Sequence, residues 1–168
     1  MKRLQNYFAC IPLLLLFTAC CYTGDCEDDD INLPNAYSPV IISRAEMEAS
    51  VYTQPQQNKY KSGKIYIKDN FMFITDVNKG FHVYNYSNPE NPLKVAFINV
   101  PGATDLAIRN NIIYINQAVD LITLEYDPLS NTINSLHRNR NVFPSKVGPN
   151  GEMAYPNRDE IVIDWTPN

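Results

Sequence analysis

Lys64-Ile65-Tyr66-Ile67-Lys68-Asp69-Asn70-Phe71-Met72-Phe73-Ile74 and, 41 residues further on, Asp105-Leu106-Ala107-Ile108-Arg109-Asn110-Asn111-Ile112-Ile113-Tyr114-Ile115 are two versions of one phrase. Ile67 falls on Ile108, Lys68 on Arg109, Asn70 on Asn111, Phe73 on Tyr114 and Ile74 on Ile115. Apolar residues alternate with polar ones on the way in, which is the period of a strand with one buried face. Asp69-Asn70 and Asn110-Asn111 are short polar pairs that tolerate left-handed backbone, so each phrase reads as a hairpin. The chain after each then returns as Phe71-Met72-Phe73-Ile74-Thr75 or its counterpart.

Beyond the first hairpin, Phe81-His82-Val83-Tyr84-Asn85-Tyr86 predicts a third strand. Ser87 to Pro92 breaks it, and Val95 to Val100 predicts a fourth strand that Pro101-Gly102 ends. The 41-residue offset places Phe81-His82-Val83 on Ile122-Thr123-Leu124. A third copy of that strand follows 39 residues later, with Ile122-Thr123-Leu124-Glu125-Tyr126-Asp127-Pro128 matching Ile161-Val162-Ile163-Asp164-Trp165-Thr166-Pro167. Units of this length with about four strands each are the signature of propeller blades. The repeats run from about 64 to 104 and 105 to 144, with a partial one from 145 to 168. The expected fold class is all-β, with repeated four-stranded antiparallel blade-like sheets and one short N-terminal helix. Propellers normally close with four or more blades, so two and a half leave three outcomes: a compact sandwich or open barrel, a ring completed by self-association or a partner, or a truncated relative. The compact monomer is the expectation.

The helix signal is Ser43-Arg44-Ala45-Glu46, a capping box, with Ile42 and Met47 placed to form a hydrophobic staple. A helix from about 44 to 51 is predicted as a lid on the sheet. Gln54 to Asn58 reads as a linker. Further upstream, Lys2-Arg3, the apolar run Ile11 to Phe17 and Thr18-Ala19-Cys20 have the form of an export signal cut before a cysteine. The apolar run is too short for a stable span. Residues 1–19 are therefore expected to be a lipoprotein signal peptide, with Cys20 carrying the lipid and 20–36 forming a tether. That tether holds Asp25, Glu27, Asp28, Asp29 and Asp30, a run that repels itself and extends. The repeat domain occupies 37–168.

The chain has four cysteines: Cys10 in the signal, Cys20 at its end, and Cys21 and Cys26 in the tether. The body has none, so packing alone must hold it. Outside the acidic run the charges nearly balance and form no basic patch, which argues against nucleic acid. His82 and His137 are the only histidines, and neither has a companion at metal-ligand spacing. No nucleophile elbow, phosphate loop or nucleotide fingerprint is present, so neither cofactor nor metal is expected. Aromatics at Tyr60, Tyr66, Phe73, Tyr84, Tyr86, Tyr114 and Trp165 offer ring area for a ligand. Alternation assigns most of them to the core. Tyr60, Tyr84, Tyr86 and Trp165 remain the candidates for a binding surface.

Phe81-His82-Val83-Tyr84-Asn85-Tyr86-Ser87-Asn88-Pro89-Glu90-Asn91-Pro92, followed by Ala96-Phe97-Ile98-Asn99-Val100-Pro101-Gly102, resembles the strand, Asn-Pro turn and returning strand of LVIVD-repeat proteins. Ser43-Arg44-Ala45-Glu46, Gly63-Lys64-Ile65-Tyr66 with Lys68-Asp69-Asn70, and Val142-Phe143-Pro144 are similar to a Bacteroidetes lipoprotein branch of that family. The resemblance spans Tyr37 to Trp165. It implies a β-propeller-like body, a cell-envelope location on the outer membrane, and a binding role without a known activity. The expected function is a membrane-anchored, non-catalytic module contacting envelope protein or glycan. The alternative is a carbohydrate-acting envelope hydrolase, or an accessory subunit of one, with loop acids such as Asp76, Asp105 and Asp120.

Overall fold

The computed structural model describes residues 36–168. The expected signal peptide, Cys20 and nearly all of the expected tether lie outside the described residues. The elements are β1 (Tyr37–Ser43), α1 (Arg44–Ala49), β2 (Tyr52–Gln54), β3 (Ser62–Lys68), β4 (Phe71–Asp76), β5 (Gly80–Asn85), β6 (Leu93–Asn99), β7 (Ala103–Arg109), β8 (Ile112–Gln117), β9 (Asp120–Asp127), β10 (Thr132–Asn139) and β11 (Glu160–Pro167). They form three antiparallel sheets, ordered β2-β6-β5-β4-β3, β7-β8-β9-β10 and β1-β11. All-β architecture is thus established, and no sheet among the described residues closes on itself.

The repeat seen in the sequence is also a repeat of register. Ile65 pairs with Ile74, Tyr66 with Phe73 and Ile67 with Met72. Adding 41 to every number gives Leu106 with Ile115, Ala107 with Tyr114 and Ile108 with Ile113, all observed pairs. Even the irregularity repeats, with a register shift between Ser62 and Ile65 and another between Ala103 and Asp105. Both hairpins turn through two residues, and Asp69 and Asn110 adopt φ of 53° and 55°. Short polar side chains tolerate that left-handed backbone best after glycine.

Three expectations need correction. The first sheet has five strands, because Tyr52–Gln54 pairs with the outer edge of β6 where a linker was expected from Gln54. The offset also drops from 41 to 40 after β4. Asp76 pairs with Gly80 across three loop residues, whereas Gln117 pairs with Asp120 across only Ala118 and Val119. His82 therefore corresponds to Ile122, and Thr123 to Val83; a one-residue slip exchanges the two faces of a strand. Finally, the last expected repeat contributes a single strand, β11, paired to β1 from the other end of the sequence.

The main core lies between the first two sheets. One face of the first, with Phe73, Phe81, Val83, Ala96 and Ile98, packs on the opposite type of face of the second, with Leu106, Ile113, Ile115, Ile122, Leu124 and Tyr126. Phe73 meets Tyr126 edge to face at 6.2 Å between centroids, a favoured aromatic arrangement. A smaller cluster joins Met47 of α1, Ala118 and Val119 of the β8–β9 loop, and Ile161 and Ile163 of β11, with Val40 and Ile42 against it. Ser43 caps α1 by accepting from the Glu46 N–H at 3.1 Å. The helix ends at Ser50, whose hydroxyl donates to the Met47 carbonyl.

Candidate functional site

The two equivalent turns bring their polar tips to the same end of the paired sheets, and a groove opens there. Its lining comes from Lys68, Asp69, Asn70 and Phe71 at the first turn and Ile108, Asn110 and Asn111 at the second. Glu125 to Leu129 and Asn134 of the β9–β10 hairpin complete it. The groove holds about 520 Å³, within the usual range for small-ligand pockets. Phe73 and Tyr126, both buried, form its floor with the half-buried Phe71. Asn70, Asn110, Asn111, Glu125 and Asn134 stand exposed around the rim. Each amide offers two donors and an acceptor, so the rim can both give and receive hydrogen bonds.

Local bonds fix the β9–β10 wall. The Asp127 carboxylate accepts from the Leu129 N–H at 2.9 Å and the Ser130 hydroxyl at 2.7 Å. Those bonds, the Ser130 hydroxyl first, hold Asp127 below the usual carboxylate range. The Tyr126 hydroxyl donates to Asn131 Oδ1 at 3.0 Å. Burial, helped by the Asp127 charge, pushes that phenol up to about 12. Tyr126 therefore stays neutral at physiological pH, and Asp127 stays ionised. Leu129 projects beside the groove almost fully exposed.

The sequence-derived candidates fall elsewhere. Tyr60 is exposed beneath the Lys79 ammonium, 5.8 Å from the ring centroid. Tyr84 is buried with Met72 and Ile74, which removes it from the accessible surface, and half-buried Tyr86 packs against that cluster. Trp165 is half-buried, its indole N–H donating to the Lys146 carbonyl at 3.3 Å. Neither Tyr60 nor Trp165 lines the large groove. Cys20 lies outside the described residues.

The three acids considered for hydrolysis are each committed to separate contacts. Asp76 accepts from the N–H groups of Tyr60 and Lys61 and from the His82 ring. Asp105 takes Lys64 and the Tyr66 hydroxyl. Asp120, fully buried, takes Arg44, Arg138 and the Asn141 N–H. Burial raises Asp76 and Asp105, but these hydrogen bonds outweigh it and leave both carboxyls lowered. That direction is opposite to the one a general acid needs. Lys146 forms a further polar cluster, donating to Asn78 Oδ1 at 2.8 Å while Asn78 donates to Asp164. Burial pushes the Lys146 ammonium down to about 8. Among the described residues no three His, Cys, Asp or Glu side chains converge to hold a metal ion.

The rim residues were missed because isolated asparagines in turns look like turn chemistry and nothing more. The available signal was the repeat itself. Two turns at equivalent positions in stacked sheets must emerge side by side, so Asp69-Asn70 and Asn110-Asn111 could have been read as one polar edge. No family model, curated protein or solved structure matches this chain.

Proposed function

We propose that the protein is a lipid-anchored envelope lipoprotein whose β-repeat body is a non-catalytic binding module, taking a saccharide in the groove between its first two sheets. The single observation that carries the ligand class is the groove's make-up: aromatic rings at the base and a rim of amides and carboxylates. Sugars present apolar ring faces together with dense hydroxyls, and this combination serves both. An envelope protein presenting a polar loop is the competing ligand.

The sheets are read as successive blades of an LVIVD-like, incomplete propeller. This reading is supported by the shared register and the shared bulge under a 41-residue shift. Anchorage at Cys20 rests on Thr18-Ala19-Cys20 and the apolar run before it, and its place in the outer membrane on the resemblance to Bacteroidetes lipoproteins. The non-catalytic assignment is supported by the lowered Asp76 and Asp105 and by the engagement of Asp120 with two arginines.

The test is a glycan array probed with the full chain, followed by calorimetry on any hit. Asn111→Ala and Asn134→Ala should each weaken binding about tenfold or more through lost hydrogen bonds, with thermal stability nearly unchanged because both side chains are exposed. An array without a specific hit, or a hit indifferent to both substitutions, overturns the saccharide reading.

A further inference from the structure

Lys64 and Lys68 each rest against a carboxylate, Asp105 and Asp69. Lys146 does not. It is half-buried, and its Nζ donates to the side-chain oxygen of Asn78 at 2.8 Å, a neutral acceptor. The nearby carboxylate, Asp164, is taken up elsewhere: it accepts from the Asn78 side-chain amide and from the Trp165 N–H. None of the ion pairs among the described residues includes Lys146. An ammonium taken out of water without an ion-paired carboxylate gives up its proton readily. Burial accordingly brings Lys146 down to about 8, against the pull of the Asp164 charge.

This amine lines a hollow of about 300 Å³. Val77, Val147, Pro149 and Trp165 give the hollow apolar walls, and the Thr104 hydroxyl stands among them. Lys61 is the other basic group on its lining and Asp164 the acidic one. With Lys146 unprotonated those two charges balance, so nothing in the hollow favours a charged occupant over a neutral one. An unprotonated lysine against apolar walls is a nucleophile with room for a carbonyl compound beside it.

We propose that Lys146 is a covalent capture site, its amine condensing with a small aldehyde whose apolar tail occupies this hollow. The Nζ lone pair attacks the carbonyl carbon, and a proton of the amine passes to the carbonyl oxygen to give a carbinolamine. Loss of water then leaves a C=N bond, with no oxidant, reductant or further reactant consumed. When the imine nitrogen is protonated, the Asp164 carboxylate is the counter-charge on the same lining. Capture is stoichiometric and uses no residue of the saccharide groove, so the two readings stand or fall separately.

Brief exposure of the full chain to butanal, quenched with borohydride and read by peptide mass mapping, tests this. At pH 7 Lys146 should be labelled at least about tenfold faster than the mean of the exposed lysines. Between pH 7 and 9 that advantage should shrink about tenfold, because Lys146 nears full deprotonation while ordinary ammonium groups still gain tenfold in free amine per pH unit. Glyoxylate, which is charged and has no apolar tail, should show a smaller preference for Lys146. Circular dichroism at both pH values establishes that the fold is intact. Labelling of Lys146 no faster than the exposed lysines at pH 7 overturns the proposal. So does an advantage that stays constant with pH, which is the mark of simple accessibility. An equal preference with glyoxylate also overturns it, since the apolar walls would then select nothing.

Discussion

Asp76 joins three parts of the chain that are separate in sequence. It ends β4, receives the N–H groups of Tyr60 and Lys61 at 2.8 and 2.7 Å, and lies 3.0 Å from His82 Nε2 on β5. His82 has no exposed surface, its ring lies 4.8 Å from that of Phe97, and its Nδ1 has no partner. Burial lowers the imidazole, against the pull of the Asp76 charge and with slight repulsion from Lys94 and Lys59. The pair is thus an ionised carboxylate accepting from a neutral ring. Both groups bind protons less readily folded than unfolded, so both favour the folded state at higher pH. The His82 contribution is complete above its ordinary value of 6.5 and is lost as pH falls from there. The Asp76 contribution is lost below 3.8. Urea midpoints should therefore fall between pH 7.5 and 5, and His82→Leu should flatten that fall; a parent midpoint unchanged over this range rules the account out. Asp76→Ala strands two backbone donors and the ring, and should cost about 3 kcal/mol at neutral pH.

At the scale of elements, the turn between β4 and β5 decides which face each strand presents. Gly80 has φ of 144°, and a Cβ there would sit 2.1 Å from the Ile98 carbonyl oxygen. Gly80→Ala must push β5 away from β6 and should cost about 3–5 kcal/mol in equilibrium unfolding. A loss under 1 kcal/mol would mean that the backbone gives way more easily than the packing suggests. This turn is also where legibility failed. Strands β3, β4, β7 and β8 could be read from alternation and the Asp-Asn and Asn-Asn pairs, down to their pairing. The 41-residue match continues across β5 in the sequence because Phe81-His82-Val83 and Ile122-Thr123-Leu124 are alike in hydrophobic pattern. The deciding event, one loop residue fewer at Ala118-Val119, leaves no mark on that pattern. β2 escaped notice for a related reason: three residues at a sheet edge are too few to show a period. The groove was legible only in part. Its two turns could be seen, but their meeting with Glu125, Leu129 and Asn134 depends on how the sheets stack.

The molecule as a whole is not held together evenly. The first two sheets share one continuous core, and bonds at both edges join them. Lys64 and Tyr66 reach Asp105 from β3 to β7, and the Thr53 hydroxyl reaches the Asn131 carbonyl beside β10. The β1-β11 sheet shares none of that core and rests on the small cluster around Met47. Arg44, at the start of α1, adds an ion pair to buried Asp120 at 3.0 Å, and the Arg44 N–H donates to the Asp159 carbonyl. Tyr37 and Pro167 pair across nearly the whole described chain, so closing this sheet carries the largest loop entropy in the fold. Fewer apolar contacts and costlier closure both place β1-β11 at the low end of the local stability range. Native-state hydrogen exchange read by mass spectrometry should show the β1 and β11 amides opening well before those of β4, β5, β8 and β9. Met47→Ala, which hollows the cluster and should cost about 2–5 kcal/mol locally, should speed exchange in β1 and β11 while leaving β5 and β9 nearly unchanged. Equal protection of β1, β11 and β5 would show that the three sheets open as one unit, and the small cluster would then be as strong a joint as the large one.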